Sequence, residues 1–215
     1  MIKAISFDLD GTLVDEKFDT LIWDEEIPRL YAEKHHVDLE RAKDKVYADY
    51  YRALYKEKET RWKDIEYWME RLKLGDWKQL VERFKHAVLV YPDVIPMLTE
   101  LKKHYTLIVV SGADEKFLNV KMDAVRLKRY FDHIFSAPSH FHVAEKSAKM
   151  FLAILQKLKL NPEELVHVGD LHEHDYLVPQ QIGIHAFHIL RGRKRAGEHE
   201  LTSLTELPEK IKKLS

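Results

Sequence analysis

The chain has 215 residues, 45% hydrophobic and 33% charged, with 7 glycines, 7 prolines and no cysteine. This composition is typical of a globular protein and excludes extended disorder, disulfide bonds and zinc–thiolate sites. Lysine and arginine number 35 against 36 for aspartate and glutamate, so there is no basic excess of the kind that binds nucleic acid or an anionic membrane. A small-molecule partner is therefore predicted.

The first residues, MIKAISFD, are typical of a strand rather than of a signal peptide. No apolar run approaches the length of about 18 residues that a membrane span requires. We therefore expect a cytoplasmic protein with no membrane partner. The sequence gives no prediction of the oligomeric state.

The first predicted strand, residues 2–8, leads into the sequence DLDGT at 8–12. On a strand, Asp8 and Asp10 would point to the same face. Two carboxylates held together repel each other unless a cation or a shared proton offsets the repulsion. The pair therefore predicts a metal site, a proton-transfer site, or both.

Residues 15–91 contain helical patterns only, at 18–36, 38–58, 61–74 and 76–86, and Pro28 favours a kink in the first of them. We interpret 15–91 as a helical cap inserted after the first strand, with 1–14 and 92–215 forming an α/β core. The helical spacing of two sets of residues predicts that they pack inside the cap: Tyr47, Tyr51 and Tyr55, and Trp62, Ile65, Met69 and Leu72.

The rest of the chain alternates between strands and helices. Near-continuous apolar strands of this kind indicate a parallel sheet covered on both faces. The predicted fold class is α/β, a Rossmann-like core with a parallel five-stranded sheet and an inserted helical cap. The further strands are predicted at 105–113, 131–137, 164–170 and 184–190, with helices at 115–130, 146–160, 175–182 and 201–214.

Polar residues stand at the carboxyl ends of three predicted strands, where open α/β sheets bind their ligands. These residues are Asp8, Ser111 with Gly112, and Asp170. If the fourth strand lies beside the first, Asp8, Asp10 and Asp170 come within reach of one cation. Oxygen ligands of this kind suit Mg²⁺ better than zinc. The sequence therefore predicts a magnesium site.

Four stretches resemble, in order and spacing, the motifs of the haloacid dehalogenase-like (HAD) hydrolase superfamily. They are DLDGTLVD at 8–15, VVSGA at 109–113, Lys146, and GDLHEHD at 169–175. The resemblance covers the whole chain, and the predicted cap has the position usual for the subclass with an insert between the first and second motifs. It implies a Mg²⁺-dependent enzyme that acts on a small phosphorylated substrate.

The resemblance also implies roles for individual residues. Asp8 is similar to the nucleophile that takes the phosphoryl group as an aspartyl-phosphate. Asp10 resembles the general acid and base, and its main-chain carbonyl resembles a Mg²⁺ ligand. Ser111 and the amide of Gly112 resemble the group that binds the substrate phosphate.

The third and fourth motifs supply the remaining groups. Lys146 resembles the cation that neutralises both the nucleophile and the phosphate. Asp170 resembles the last carboxylate ligand of the metal, and Asp175 would support the metal from beside it. Many relatives follow the lysine with Pro-x-Pro, whereas this chain has Ser147-Ala148-Lys149, so Lys149 is a rival for the role of Lys146.

Two histidines and one basic run allow more than one interpretation. His172 and His174 lie in the predicted metal loop, where a role in binding the substrate or supporting the metal is open. A basic run is predicted to be a solvated loop, with contact to an anionic substrate as the alternative; it comprises Arg191, Arg193, Lys194 and Arg195.

The predicted function is hydrolysis of a small phosphorylated metabolite through an aspartyl-phosphate. The family's dehalogenases and phosphonatases lack an acid at the position of Asp10, so its presence favours phosphate esters. The alternatives are a phosphomutase or phosphotransferase of the same superfamily, and a non-catalytic phosphate-binding regulatory module. A non-catalytic protein would not need Asp8, Asp10, Lys146 and Asp170 together. The sequence does not name the substrate.

Overall fold

The computed structural model describes residues 1–193 and 197–214. Within them, six strands form one parallel sheet: β1 (Ala4–Phe7), β2 (Thr106–Ser111), β3 (His133–Ser136), β4 (Leu165–Gly169), β5 (His185–Ile189) and β6 (Glu200–Leu201). The α/β class is confirmed, but the predicted number of five strands is wrong. The sixth strand, β6, pairs with the end of β5 and has only two residues, too few to show a strand period in the sequence.

The strand order is β3-β2-β1-β4-β5-β6, so β1 lies in the middle of the sheet. Phe7, the last residue of β1, pairs with Val109 of β2 and with Val168 of β4. The predicted neighbourhood of the first and fourth strands is therefore confirmed. Because all strands are parallel, the carboxyl ends of β2, β1 and β4 meet at one edge.

Both faces of the sheet are covered, as the apolar strands predicted. Phe7, Val109 and Val168 belong to one cluster of buried side chains, and their neighbours Ile108 and Val110 belong to a second cluster. This alternation follows from the strand period of two. No helix among residues 1–193 and 197–214 is long and apolar enough to cross a membrane.

Every regular element between residues 15 and 91, all of which the structure describes, is helical. We refer to residues 15–91, the predicted insertion, as the cap segment. Its elements are α1 (Lys17–Thr20), a π-helical stretch (Leu21–Glu26), α2 (Ile27–His35), α3 (Leu39–Tyr51), a second π-helical stretch (Arg52–Glu57), α4 (Ile65–Arg71), α5 (Trp77–Phe84) and a 3₁₀ turn (Lys85–Ala87).

The sequence predicts that two stripes of the cap segment pack inside it. The prediction holds for most of the stripe that contains Ile65 and is wrong for the tyrosine stripe. Ile65, Met69 and Leu72 are buried as predicted, whereas Trp62 of the same stripe is only partly buried. The tyrosine stripe faces solvent instead, because α3 buries the face that carries Ala42 and Val46. The exposed fractions of its three tyrosines are 40% for Tyr47, 57% for Tyr51 and 61% for Tyr55.

Six more α-helices follow in the described residues: α6 (Val94–Leu101), α7 (Glu115–Ala124), α8 (Ala137–Phe141), α9 (Ala148–Leu158), α10 (Val178–Gln180) and α11 (Leu207–Lys212). A π-helical stretch (His172–Leu177) and three 3₁₀ turns (Lys128–Tyr130, Pro162–Glu164 and Leu204–Glu206) lie between them. Neither α6 nor α8 is predicted from the sequence. Both carry a proline in the first turn, Pro96 and Pro138, where the missing N–H needs no partner. The predicted closing helix at 201–214 is reduced to a 3₁₀ turn and α11.

Candidate active site

Asp8 stands directly after β1, at the middle of the sheet edge. Its backbone N–H donates to the carbonyl of Val168, 2.9 Å away, so the pairing with β4 continues one residue beyond the strand. The Asp8 side chain is buried, with 5% of the residue exposed. One carboxylate oxygen from each of Asp8, Asp170 and Asp175 lies within 4.8 Å of the others. The sheet thus gathers three carboxylates from β1 and from the loop after β4.

Lys146 lies against this carboxylate cluster. Its Nζ is 2.6 Å from Oδ1 of Asp8 and also forms an ion pair with Asp175. Burial alone would lower the pKa of Lys146, but the carboxylates of Asp175 and Asp8 raise it above its usual value. The lysine is therefore a fixed positive charge beside the predicted nucleophile. Lys149, the rival in the sequence, is exposed on α9.

Asp175 is held on both carboxylate oxygens. Oδ1 is 2.9 Å from Nε2 of His167, and Oδ2 accepts from the backbone N–H of Leu171 at 3.1 Å. Nδ1 of His167 in turn lies 2.7 Å from the hydroxyl of Ser6. Burial would raise the pKa of Asp175, but Lys146 and His167 bring it below the usual range. Asp175 is thus a fixed anion that orients Lys146, and its predicted role in supporting the metal stays a prediction.

Asp10 faces a second buried lysine. Nζ of Lys121 lies 2.5 Å from Oδ1 of Asp10 and 3.0 Å from Oδ2 of Asp19, which belongs to α1 of the cap segment. Burial, followed by the nearby charge of Asp10, raises the pKa of Asp19 to about 7 even though Lys121 opposes the change. Two carboxylates share one ammonium group, so the trio carries one negative charge in excess, which a proton near neutral pH can offset.

Sequence reasoning did not find Lys121 or Asp19. A signal for Lys121 exists, since the buried residues of α7 are Phe117, Leu118, Lys121 and Met122, and a lysine in such an apolar stripe needs a buried partner. Asp19 carries no comparable signal in a four-residue helix whose packing depends on the rest of the fold.

The donor set fits a magnesium ion. It consists of carboxylate oxygens only, which is the chemistry that Mg²⁺ prefers. Burial raises the pKa of Asp8 well above its usual value, and burial together with Asp175 raises the pKa of Asp170 to about 7. Burial is the main cause of both shifts, and a bound cation would offset it by stabilising the ionised carboxylates. The Asp10 side chain is turned to Lys121, which leaves its main-chain carbonyl as the predicted contribution to the metal.

Gly11 makes room for this cluster. Its φ of 70° lies in the left-handed region, and a Cβ at this position would overlap the carboxylate of Asp170. The turn after β1 thus brings the backbone of the first motif directly against the fourth. A glycine is required there both for the backbone conformation and for the close approach.

The predicted phosphate-binding residues lie at the end of β2. Oγ of Ser111 accepts a hydrogen bond from the backbone N–H of Ala113, 3.0 Å away, so the hydroxyl shapes the loop. Gly112 and Ala113 line a cavity that also contains Asp8, Asp10, Lys146 and Asp170. Five of the predicted site residues therefore meet at one cavity: Asp8, Asp10, Gly112, Lys146 and Asp170.

The cavity has a volume of about 380 Å³. Its far wall is aromatic, and sequence reasoning assigned none of these side chains to the site. Trp23 of the cap segment packs against Tyr50 with ring centroids 5.9 Å apart and against Phe117 of α7 at 5.6 Å. The remaining lining residues are Glu16, Asp19, Asp24, Tyr47, Trp62, Lys63 and Leu171. A small ligand could therefore place a polar end on the carboxylates and a flat apolar part on the aromatic rings.

The residues left open by the sequence lie at the edges of the site. Nδ1 of His174 is 3.2 Å from the carbonyl of Lys146, whereas His172 packs against Tyr176 with ring centroids 5.4 Å apart. Neither histidine lines the cavity.

The predicted solvated basic loop is wrong for Arg191. Its guanidinium donates to Oδ2 of Asp93 at 2.7 Å and to the carbonyl of Thr12 at 2.7 Å. These bonds attach the end of β5 to the turn that follows β1. Lys194 and Arg195 lie outside the described residues.

An α/β sheet that ends in buried carboxylates facing a fixed lysine, beside a cavity for a small ligand, is typical of an enzyme for anionic substrates. The sequence profile of the haloacid dehalogenase-like hydrolase family matches residues 2–183. The chain belongs to this family, and the predicted superfamily is confirmed.

Named relatives and solved structures agree with this assignment. The chain is 25% identical over 170 residues to the GMP/IMP nucleotidase YrfG of Escherichia coli, covering 79% of this chain and 74% of the relative. It is 28% identical over 192 residues to the N-acylneuraminate-9-phosphatase of Mus musculus, covering 81% and 76%. The structure of a HAD phosphatase from Thermococcus onnurineus superposes with a TM-score of 0.81 at 25% identity, covering 98% of each chain. These names support the predicted enzyme class, a phosphoric monoester hydrolase.

Proposed function

We propose that the protein is a Mg²⁺-dependent phosphatase that hydrolyses a small phosphorylated metabolite through an aspartyl-phosphate on Asp8. One observation carries the proposal. Asp8 lies 2.6 Å from the fixed ammonium of Lys146, within the carboxylate cluster and at the wall of a cavity that Asp10 also lines. A nucleophile, a cation and a second acid thus meet where a phosphate ester can reach all three.

The proposed reaction has two steps. An oxygen of the Asp8 carboxylate attacks phosphorus, the bond from phosphorus to the ester oxygen breaks, and Asp10 gives that oxygen a proton. Asp10 then takes a proton from a water molecule, which attacks phosphorus and releases inorganic phosphate with Asp8 restored. Lys146 balances the charge near Asp8 throughout, and Asp175 keeps Lys146 in place. Bound Mg²⁺ would be held by Asp8, the carbonyl of Asp10 and Asp170, and would supply positive charge to the phosphate.

Asp10 favours phosphate hydrolysis over dehalogenation. The structure of a 2-haloacid dehalogenase from Pseudomonas syringae superposes with a TM-score of 0.70, but at 24% identity this likeness concerns the fold alone. In this chain the second aspartate is present and faces the cavity. A phosphomutase or phosphotransferase would use the same groups and differ in the acceptor, which a product analysis distinguishes.

The cavity walls favour one substrate class. Trp23, Tyr50 and Phe117 offer flat apolar faces, and the acidic Asp24 at the same cavity would repel a carboxylate in the leaving group. The names of the relatives supply two classes, purine nucleotides and a phosphorylated sugar acid. A nucleoside monophosphate, with an uncharged ring system, suits these walls better. We therefore propose nucleoside monophosphates as the substrates.

Turnover of p-nitrophenyl phosphate and of a set of nucleotides tests the proposal. We expect hydrolysis that requires Mg²⁺ and stops with EDTA, because the clustered carboxylates repel a phosphate dianion. Asp8→Asn should reduce turnover to background while the melting temperature stays near that of the wild type. Release of inorganic phosphate with water as acceptor would distinguish a phosphatase from a mutase. Full activity in EDTA, or activity retained by Asp8→Asn, would refute the mechanism.

A further inference from the structure

Lys63 reaches from the cap segment to the wall of the cavity formed by the end of β2. It lies in the turn before α4, and its Nζ is 3.0 Å from Oε2 of Glu145. A Cβ placed on Gly112 would lie only 3.2 Å from the same Nζ. The side chain of Lys63 is 23% exposed and that of Glu145 is 34% exposed. A cation of the cap segment therefore stands beside the backbone that the sequence predicts to bind phosphate.

Lys63 is the more available of two cations at this cavity. Among the described residues that line it, the basic side chains are Lys63 and Lys146. Lys146 is committed to two buried carboxylates, Asp8 and Asp175. The partners of Lys63 are a partly exposed glutamate and the ring of Trp62, whose centroid is 4.9 Å from Nζ, and solvent weakens the ion pair. A phosphate dianion, with its higher charge and three oxygens, can replace a partly exposed carboxylate as the partner of this ammonium.

We propose that Lys63 is a phosphate-binding residue, which exchanges Glu145 for the phosphoryl oxygens of the ligand. The inference rests on the proposed phosphatase function and adds the residue by which the cap segment holds the substrate. Glu145 then acts as a competitor that holds Lys63 when phosphate is absent. Because Lys63 belongs to the cap segment, whereas Gly112 follows β2 and Glu145 lies between α8 and α9, bound phosphate would be held from both sides of the cavity.

The simpler reading is an ion pair that only attaches the cap segment to the rest of the protein. The two interpretations predict different signs for the change in phosphate affinity when Glu145 is replaced. If the pair is merely an attachment, the loss of either partner should affect phosphate in the same direction. If Glu145 competes with phosphate for Lys63, the loss of Lys63 should weaken phosphate binding and the loss of Glu145 should strengthen it.

Titration calorimetry with inorganic phosphate in Mg²⁺ buffer measures both effects without turnover. We expect Lys63→Met to weaken phosphate binding by about 10-fold to 100-fold, since it removes a charge-assisted contact. Lys63→Arg should restore most of the affinity. Glu145→Gln should tighten binding several-fold, and this gain should disappear in the Lys63→Met background, as coupling between the two residues requires.

Lys116→Met provides the matched control. Lys116 also joins α7 to the cap segment, through Asp64 and Glu66, but it does not line the cavity. Its loss should leave phosphate affinity near that of the wild type. Changes of the same sign in Lys63→Met and Glu145→Gln, an equal loss in Lys116→Met, or no phosphate binding by the wild type would overturn the inference. A wild type that binds phosphate through Lys63 but hydrolyses no ester would refute the proposed function alone.

Discussion

Two buried lysines each bridge two aspartates, one of which follows β1 in both cases. Lys146 holds Asp8 and Asp175. Asp8 follows β1, Lys146 lies between α8 and α9, and Asp175 lies between β4 and α10, so none of the three belongs to the cap segment. Lys121 holds Asp10 from the turn after β1 but also Asp19 from the cap segment. The first bridge is internal to the α/β part, whereas the second joins it to the cap segment.

This difference indicates that the ion pairs of Lys146 and those of Lys121 have different roles. Asp8, Lys146 and Asp175 all lie outside residues 15–91, so the proposed nucleophile would keep its cation if the cap segment moved. The carboxylate of Asp10 depends on a lysine that is also bound to α1. A movement of the cap segment would therefore change the surroundings of Asp10 and leave those of Asp8 intact. Substitutions at the two lysines should separate these roles.

The largest effect is expected for Lys146→Met. Turnover should fall by about 10³-fold on every phosphate ester, because the charge beside the nucleophile is lost. Two buried aspartates would also lose their partner, which should cost about 3–5 kcal/mol of unfolding free energy. Steady-state kinetics well below the melting temperature measures the first effect, and thermal denaturation measures the second. Lys149→Met, three residues away and exposed, is the control and should resemble the wild type.

A smaller and more selective effect is expected for Lys121→Met. Asp10 would lose the group that orients it, so hydrolysis of alkyl phosphates, whose leaving oxygen needs a proton, should slow by about 10-fold to 100-fold. Hydrolysis of p-nitrophenyl phosphate should slow much less. The ratio of the two rates is the readout, and Lys116→Met on the same helix is the control. Equal losses on both substrates would show that Lys121 acts through stability alone.

Asp19→Asn should have a modest effect in the same direction. The side chain is 25% exposed, and a pair of this kind contributes about 1 kcal/mol or less, which corresponds to about fivefold or less in rate. The same rate ratio for alkyl and aryl phosphates measures it, with the exposed Glu25→Gln as control. A loss as large as that of Lys121→Met would mean that α1, rather than the lysine, positions Asp10.

The smallest effect on activity is expected for Asp93→Asn, which removes an ion pair outside the cavity. Burial would raise the pKa of Asp93, but hydrogen bonds from Arg191 and Ser203 bring it below its usual value of 3.8. The ionised group therefore stabilises the fold above this pH, and the stabilisation is lost as the pH falls. We expect a loss of about 1–3 kcal/mol at neutral pH. Urea denaturation should show the wild type and the variant converging below pH 4, with turnover unchanged at neutral pH.

Most of the sheet, and the residues of the candidate site that lie at its edge, could be predicted from the sequence. Buried parallel strands have a clear apolar pattern, and Asp8 and Asp170 follow the carboxyl ends of two of them, whereas Lys146, identified by its motif, lies between α8 and α9. The pattern did not show β6, which has two residues, or the helices that begin around Pro96 and Pro138.

The cap side of the site could not be predicted for a different reason. Trp23, Lys63 and Asp19 meet the cavity only through the packing of the cap segment on the sheet, which no local pattern encodes. The tyrosines of α3 show the same limit, since a helical stripe indicates that a face exists but not which neighbour covers it. Asp8 and Asp170, in contrast, are placed by the strands that carry them.

The aromatic wall of the cavity also allows ligand binding to be followed by intrinsic tryptophan fluorescence. All 4 tryptophans of the chain lie in residues 15–91, and Trp23 and Trp62 border the cavity. Tryptophan fluorescence therefore comes from the cap segment alone, because the strands of the sheet contain no tryptophan. Binding of phosphate or a nucleotide can be followed by intrinsic fluorescence without a label, and a Trp23→Phe variant would show which part of the signal arises beside Phe117.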